Sequence, residues 1–300
     1  MNPEPAIWML HGPTASGKTA LAIELAQFLG TEVINCDARQ VYRELSIGVA
    51  RPSAAERAAV PHHGIASHSI HEPLTAASYA EWAEPVLRDV IARTGSAVVA
   101  GGSGLYAMAL LEGLDPMPPA DPALRAQLED RWASDPLALA AELQGLDPAY
   151  AATADLQNGR RVVRALEVIA LTGTPYSQQR RGSGLRSWPL LVREVVLDAP
   201  MDWLEARIAR RSRQMMADGL RDEALGLQEW AHLTPLHTVG YREFYEPGAP
   251  VRDDAQMADR ISLRTRQYAK RQKTWLAKQT KALQVPAADA WNYLRTYDRA

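Results

Sequence analysis

The first patterned segment of the chain is a short apolar run, Ala6-Ile7-Trp8-Met9-Leu10, with the length and character of a buried strand. After a glycine-rich stretch, Leu21, Ala22, Leu25, Ala26 and Leu29 recur at helical spacing up to Gly30, a suitable helix C-cap. Val33-Ile34-Asn35-Cys36 and Ala97-Val98-Val99-Ala100 are further strand-like runs. Strand-like and helix-like segments alternate as far as Leu110-Leu111-Glu112-Gly113-Leu114, and the proline-rich stretch from Asp115 to Pro122 breaks the pattern. Beyond it the periodicity is helical only: Leu124 to Trp132, Leu137 to Leu143, and Arg160 to Leu171 ended by Thr172-Gly173. A second break, Gly182-Ser183-Gly184, precedes Leu190 to Asp198, which reads as a strand again. Long helices are predicted from Met201 to about Trp230 and from Asp254 to about Lys281. A strand that returns after an all-helical block indicates an insertion rather than an appended domain. The pattern therefore predicts an α/β core from residues 1–115 and 187–300, a parallel sheet flanked by helices, carrying an all-helical insertion at 116–186.

The glycine-rich stretch adds chemistry. Gly12-Pro13-Thr14-Ala15-Ser16-Gly17-Lys18-Thr19 is a complete G-x-x-x-x-G-K-[ST] phosphate loop, lying between a predicted strand and a predicted helix. That context makes the core P-loop NTPase-like. Backbone N–H groups at the helix N-terminus suit a di- or triphosphate, Lys18 suits its outer phosphates, and the Thr19 hydroxyl suits Mg²⁺. Whether a nucleotide such as ATP takes the loop is left open. A hydrolysis motor wants an apolar strand ending in an acid that helps to hold Mg²⁺. Ala97–Ala100 ends instead in Gly101-Gly102-Ser103-Gly104, whereas Val33–Cys36 ends at Asp37. Group transfer from a phosphate ester is thus favoured over a motor. Asp37 falls at the carboxyl end of a strand, where open α/β sheets bind ligands, as a reacting group or as a turn residue.

Composition excludes several classes. Hydrophobic residues make up 47% and charged residues 23% of the 300, the single cysteine is Cys36, and the net charge is −2. A disulfide framework is ruled out and a reducing, cytoplasmic setting expected. No signal peptide and no membrane-length apolar run is read, so no membrane partner is expected. The net charge hides segregation. From Ala258 to Lys281 eight basic residues face one acid, with Tyr268 and Trp275 interleaved. Arg207, Arg210, Arg211 and Arg213 form a second cluster, Arg160, Arg161 and Arg164 a third, and Arg180, Arg181 and Arg186 a fourth. Such segregated basic surface suits phosphate backbones. His62, His63, His68 and His71 lack the cysteines or paired acids of a zinc site.

The ordered motifs resemble a known family. They are the phosphate loop; Asp37-Ala38-Arg39-Gln40-Val41-Tyr42-Arg43 with Ile47-Gly48 and Arg51-Pro52; Pro61-His62-His63; Gly101-Gly102-Ser103-Gly104-Leu105-Tyr106; Leu110-Leu111-Glu112-Gly113; Asn158 with Arg160 to Glu167; Gly240-Tyr241; and Thr265 to Gln272. Together they make the chain resemble the tRNA dimethylallyltransferases, also called tRNA isopentenyltransferases, in their compact bacterial-like form. The resemblance implies transfer of a dimethylallyl group from dimethylallyl diphosphate to N6 of the adenosine 3′ to the anticodon, in tRNAs reading codons that begin with U. It implies Mg²⁺ held through Thr19, Asp37 as proton acceptor, and Lys18, Thr19 and Arg211 on the departing diphosphate. It implies anticodon stem-loop contacts from Asp37, Ala38, Arg39, Gln40 and Ser103, and from Arg125, Gln157, Asn158, Gly159, Arg160, Arg161 and Arg164 of the insertion. A monomer is expected.

Three departures stand out: Ala38 where the family has Ser, Ser103 where it has Thr, and no acid in Gly64-Ile65-Ala66-Ser67-His68. A P-loop kinase of small metabolites and a nucleotide-gated RNA-binding protein without chemistry are the alternative classes. The basic helices speak against the first, and Asp37 against the second.

Overall fold

A computed structural model describes residues 4–180, 182, 186–248, 252–279 and 282–297. Arg181, Ser183, Gly184 and Lys281, used in the sequence reading, lie outside the described residues. In chain order the first half of the core runs β1 (Ala6–His11), α1 (Lys18–Leu29), β2 (Val33–Asn35), α2 (Ala54–Ala59), β3 (His62–His63), α3 (Ala76–Thr94), β4 (Ala97–Ala100) and α4 (Gly104–Leu111). The insertion contributes α5 (Pro122–Ser134), α6 (Pro136–Leu146), α7 (Pro148–Ala151), α8 (Gly159–Thr172) and α9 (Tyr176–Gln179). The core resumes with β5 (Leu191–Asp198), α10 (Met201–Ala217), α11 (Leu220–Gly226), α12 (Arg242–Tyr245), α13 (Asp254–Gln279), β6 (Leu283–Pro286) and α14 (Ala290–Tyr297).

The sheet has six parallel strands in the order β3-β2-β4-β1-β5-β6. β1 is buried along its whole length because both of its neighbours pair with it, Ile7 to Leu10 against Ala97 to Ala100 and Ala6 to His11 against Leu191 to Val196. Trp8, Leu10, Leu25, Val98, Val195 and Leu197 share one apolar cluster that fixes α1 against the sheet. A second cluster joins Tyr42, Leu45, Met215, Leu220, Phe244 and Ile261, and so ties α10, α12 and α13 to the segment after β2.

The chain divides into two compact units, residues 1–111 with 188–300, and residues 112–187. Within the second unit, Leu128, Leu139, Leu143, Val162 and Leu166 form a core of their own. Its helices start on a repeated device. Asp121-Pro122, Asp135-Pro136 and Asp147-Pro148 each place an aspartate at the N-cap, accepting from Leu124, Ala138 and Tyr150 N–H, with proline in the first turn.

Two expectations change. The single helix expected from Met201 to Trp230 is α10, then α11, then a short 3₁₀ turn over Gln228–Trp230. Gly219 lies between the first two at φ 96°, a left-handed conformation that a continuing helix does not allow. The two-residue β3, the strand β6 and the helix α14 went unread, being short or weakly patterned.

Candidate active site

The carboxyl ends of β1, β2 and β4 open into a cleft of about 510 Å³ in the first unit. β1 delivers the phosphate loop, β2 delivers Asn35 and Asp37, and β4 delivers Gly101 and Gly102. Side chains of α10 (Arg207, Arg210, Arg211, Gln214) and α13 (Tyr268, Gln272) form the remaining wall. Ala199, Leu204 and Ile208 pack with Ala269 and Ala15, which holds these two helices over the loop.

The glycines here answer to close approach. A Cβ on Gly101 would stand 1.9 Å from the Cys36 carbonyl oxygen, so the ends of β2 and β4 could not come together. Gly17 caps α1 at φ 94°, which turns the loop into the helix. Ala15 is also left-handed, at φ 66°. Lys18 Nζ donates to the Gly12 carbonyl at 2.8 Å and to the Pro13 carbonyl at 2.7 Å. Burial pushes its ammonium down to about 8; the Asp37 charge opposes that shift and Arg211 adds to it. Ser16 Oγ is buried without a hydrogen-bond partner among the described residues, an orphaned group in the glycine-rich loop.

Cations and amides from distant sequence support the loop. Arg211 Nη2 donates to Thr14 Oγ1 and is itself partly withdrawn from water, which lowers its pKa. Arg207 Nε donates to the Ala15 carbonyl at 2.8 Å while its guanidinium lies over the Trp203 ring. Gln272 accepts from Thr14 N–H at 2.8 Å and donates to the Gly102 carbonyl at 2.9 Å, joining the loop to the Gly101-Gly102 segment.

Asp37 shapes the turn after β2 and also faces the cleft. Its Oδ1 accepts from the N–H groups of Arg39 at 2.8 Å and Gln40 at 3.3 Å, which shapes the turn after β2. No hydrogen bond of Oδ2 is formed within the described residues, and the side chain lines the cleft. Glu56, the other carboxylate of the cleft, is held in a capping box with Ser53 at the start of α2. Two further groups are poor proton acceptors: burial pushes the Cys36 thiol and the Tyr268 phenol each up to about 12. Ser103 Oγ accepts from Ala38 N–H at 2.9 Å, and Gln40 Nε2 donates to the carbonyls of Val49 and Ala50. Both side chains thus brace the Asp37 turn.

No cluster of three His, Cys, Asp or Glu suited to a metal occurs among the described residues. Among them, too, no helix is long and apolar enough to cross a membrane.

The comparisons with known proteins show the family. A model of the IPP transferase family matches residues 40–279. The tRNA dimethylallyltransferase of Stenotrophomonas maltophilia strain K279a is 44% identical over 288 residues, covering 91% of this chain and 89% of that protein. The chain belongs to this family. The tRNA dimethylallyltransferase of Halorhodospira halophila is 40% identical over 286 residues, with 93% and 92% covered. The tRNA isopentenylpyrophosphate transferase of Bacillus halodurans superposes with a TM-score of 0.69 at 31% identity, covering 99% of this chain and 97% of that one. The family match begins after the phosphate loop and Asp37, so those residues rest on their motif and on geometry.

Of the predicted core residues, Thr14, Ala15, Gly17, Lys18, Thr19, Asp37, Gln40 and Arg211 line the one cleft. The insertion residues divide. Gln157, Asn158, Gly159 and Arg160 line a cavity of the second unit, and Arg161 is exposed. Arg125 and Arg164, expected to touch RNA, are both partly exposed and both paired with Glu167, whose side chain is fully buried. Arg164 Nη2 also donates to the Pro118 carbonyl at 2.6 Å, and Asp121 N–H donates to Glu167 at 3.1 Å. A buried carboxylate demands such partners, so these two arginines have a structural task that a basic cluster in sequence does not reveal. The sequence reading gave no role to Gln272, Tyr268 or Gln214. Tyr268 and Gln272, four apart, share a helix face, and that spacing was the available signal.

Proposed function

We propose that this protein transfers the dimethylallyl group of dimethylallyl diphosphate to N6 of the adenosine on the 3′ side of the anticodon, in tRNAs reading codons that begin with U. The observation that carries the reading is one cleft lined by both a phosphate loop and the Asp37 carboxylate. The loop N–H groups, Ser16 Oγ, Lys18 and Arg211 suit the diphosphate, on which negative charge grows as the carbon–oxygen bond breaks. An adenine amino group is a weak nucleophile, because its lone pair is delocalised into the ring. Asp37 takes its proton as the new carbon–nitrogen bond forms. Arg39 and Gln40 N–H groups hold Oδ1 and leave Oδ2 for that task.

Mg²⁺ fits the residues present: the Thr19 hydroxyl lines the cleft beside the loop, a hard oxygen donor that with substrate phosphates and water would hold the ion. When bound, it neutralises charge on the leaving diphosphate. To reach this depth the target adenosine is turned out of its stack. The protein works in the cytoplasm, as a monomer, on the anticodon arm.

The test is to incubate the protein with dimethylallyl diphosphate, Mg²⁺ and unmodified tRNA, then digest the RNA and weigh its nucleosides. One adenosine per tRNA should gain a dimethylallyl group, with release of one diphosphate. Transfer of phosphate to any acceptor, with no prenylated nucleoside, would favour a kinase instead.

A further inference from the structure

β2 ends at Asn35, two residues before Asp37. Asp37 lies outside the strand ladder, so its backbone N–H and carbonyl need partners elsewhere. Asn35 supplies both. The residue is only 4% exposed, and its Oδ1 accepts from the Asp37 N–H at 3.2 Å, an Asx turn. Its Nδ2 donates to the Asp37 carbonyl at 3.3 Å and to the Gly64 carbonyl at 3.0 Å. A carboxamide turned the other way would set its NH₂ against an N–H and its oxygen against two carbonyls, so the network admits one orientation. Asn35 lines the cleft, but both amide hydrogens are committed to carbonyls, which leaves no donor for a ligand.

The surroundings of the turn are fixed from other directions. Cys36 N–H donates to the Ala100 carbonyl at 2.8 Å, and Ala38 N–H to Ser103 Oγ at 2.9 Å. The segment after β3 runs alongside, with Ala66 N–H donating to the Gln40 carbonyl at 2.9 Å and Ser67 N–H to the Val41 carbonyl at 2.8 Å. Gly64 begins that segment, so one side chain ties together the end of β2, the Asp37 backbone and the segment after β3. Tyr79 of α3 donates to the Asn35 carbonyl at 2.8 Å and so fixes the clasp itself.

What holds the Asp37 backbone aims its carboxylate. Rotation about either backbone bond of Asp37 swings its Cβ, and the Arg39 and Gln40 N–H groups reach Oδ1 only while the turn keeps its shape. A misplacement of about 1 Å at a reacting group costs ~10²-fold in rate.

We propose that Asn35 is the positioning residue of the Asp37 carboxylate: it clasps both backbone polar groups of Asp37 and anchors them to the segment after β3, which points Oδ2 at the attacking amine. Asn35 touches no substrate and acts through Asp37 alone. The inference rests on the reading of Asp37 as the proton acceptor.

The test is a double-mutant cycle with dimethylallyl diphosphate and unmodified tRNA as substrates. Asn35→Ala should lower kcat ~10- to 100-fold, with KM for each substrate within about threefold of the parent. Asn35→Ser keeps an oxygen able to accept from the Asp37 N–H but lacks the second donor arm, so it should fall between Asn35→Ala and the parent. In an Asp37→Asn background, Asn35→Ala should lower kcat by less than about threefold more, because residues that act as a unit do not add. A residue that serves only the fold would cost the same factor in both backgrounds. Hydrogen exchange reads the clasp without turnover: the Arg39 and Gln40 amides should exchange faster in Asn35→Ala, while those of β1 and β4 keep their protection. If Asn35→Ala does not fold, Asn35→Ser carries the same measurements.

A kcat for Asn35→Ala within about threefold of the parent would overturn the inference, as would an equal loss in both backgrounds. If Asp37→Asn alone costs turnover and either of those results is found, this inference fails and the proposed function stands. If Asp37→Asn turns over at the parental rate, the role of Asp37 fails and the inference falls with it. If the parent transfers no dimethylallyl group, the proposed function fails and exchange alone decides the clasp: faster exchange confined to the turn supports it, and unchanged exchange overturns it.

Discussion

Replacing Arg164 by Gln separates a structural arginine from an RNA-binding one. Arg164 Nη1 lies 2.5 Å from Glu167 Oε2, and Nη2 lies 2.6 Å from the Pro118 carbonyl. Glu167 is fully buried and keeps Arg125 and the Asp121 N–H after the change, so its charge is not abandoned. A hydrogen bond to a charged group contributes about 1.5–3 kcal/mol. With 28% of the Arg164 side chain exposed, solvent enters and the lower end applies, about 1.5 to 2 kcal/mol. In a unit of this size that lowers the melting temperature by roughly 5–15 °C. Arg161→Gln is the comparison, three residues away on α8, exposed and without an ion-pair partner among the described residues. It should leave the melting curve alone and flatten the log–log dependence of tRNA affinity on salt by ~0.7 to 0.9, one lost phosphate contact. Melting curves beside filter binding at several salt concentrations read both effects. An unchanged melting temperature with a flattened slope for Arg164→Gln would refute the reasoning and return that arginine to the RNA.

Lys18→Ala should remove most turnover while the fold and tRNA affinity are kept, since its Nζ serves the loop carbonyls and the diphosphate; steady-state kinetics with both substrates checks it, and parental turnover would contradict it. The pH dependence follows from the same amine. Its folded pKa of about 8 lies below the 10.5 of free lysine, so above about 8 the unliganded enzyme loses the charge, and kcat/KM for the donor should fall. The sign for stability is opposite. Between those two values the unfolded chain binds more protons, so this group makes the fold more stable as pH rises, a trend that Lys18→Met should abolish in urea titrations. Gly101→Ala would drive a methyl into the Cys36 carbonyl and should cost about 3 kcal/mol of stability, read by the same titrations.

The phosphate loop, Asp37 and the insertion were legible because each is local: a spacing, a strand end, a change of periodicity. The cleft's far wall was not. Gln272 meets Thr14 across more than half the chain, and nothing local tells a bridging glutamine from a surface one. The pairing of Arg125 and Arg164 with Glu167 was hidden for the converse reason. A basic cluster looks the same whether it faces solvent or a buried Glu167, and the partner is known only once α5 and α8 are packed. The break at Gly219 was open to reading. Glycine is tolerated in helices often enough that periodicity on both sides of it hid the turn.

The central claim is that the Asp37 carboxylate accepts the proton of the attacking amine in the cleft that holds the diphosphate. Asp37→Asn tests it most directly. The amide oxygen can still accept from Arg39 and Gln40 N–H, so the turn and the fold are kept, while the proton acceptor is lost. With both substrates saturating, the account predicts kcat lower by ~10²–10⁴-fold and tRNA affinity nearly unchanged. A kcat within about threefold of the parent would contradict it.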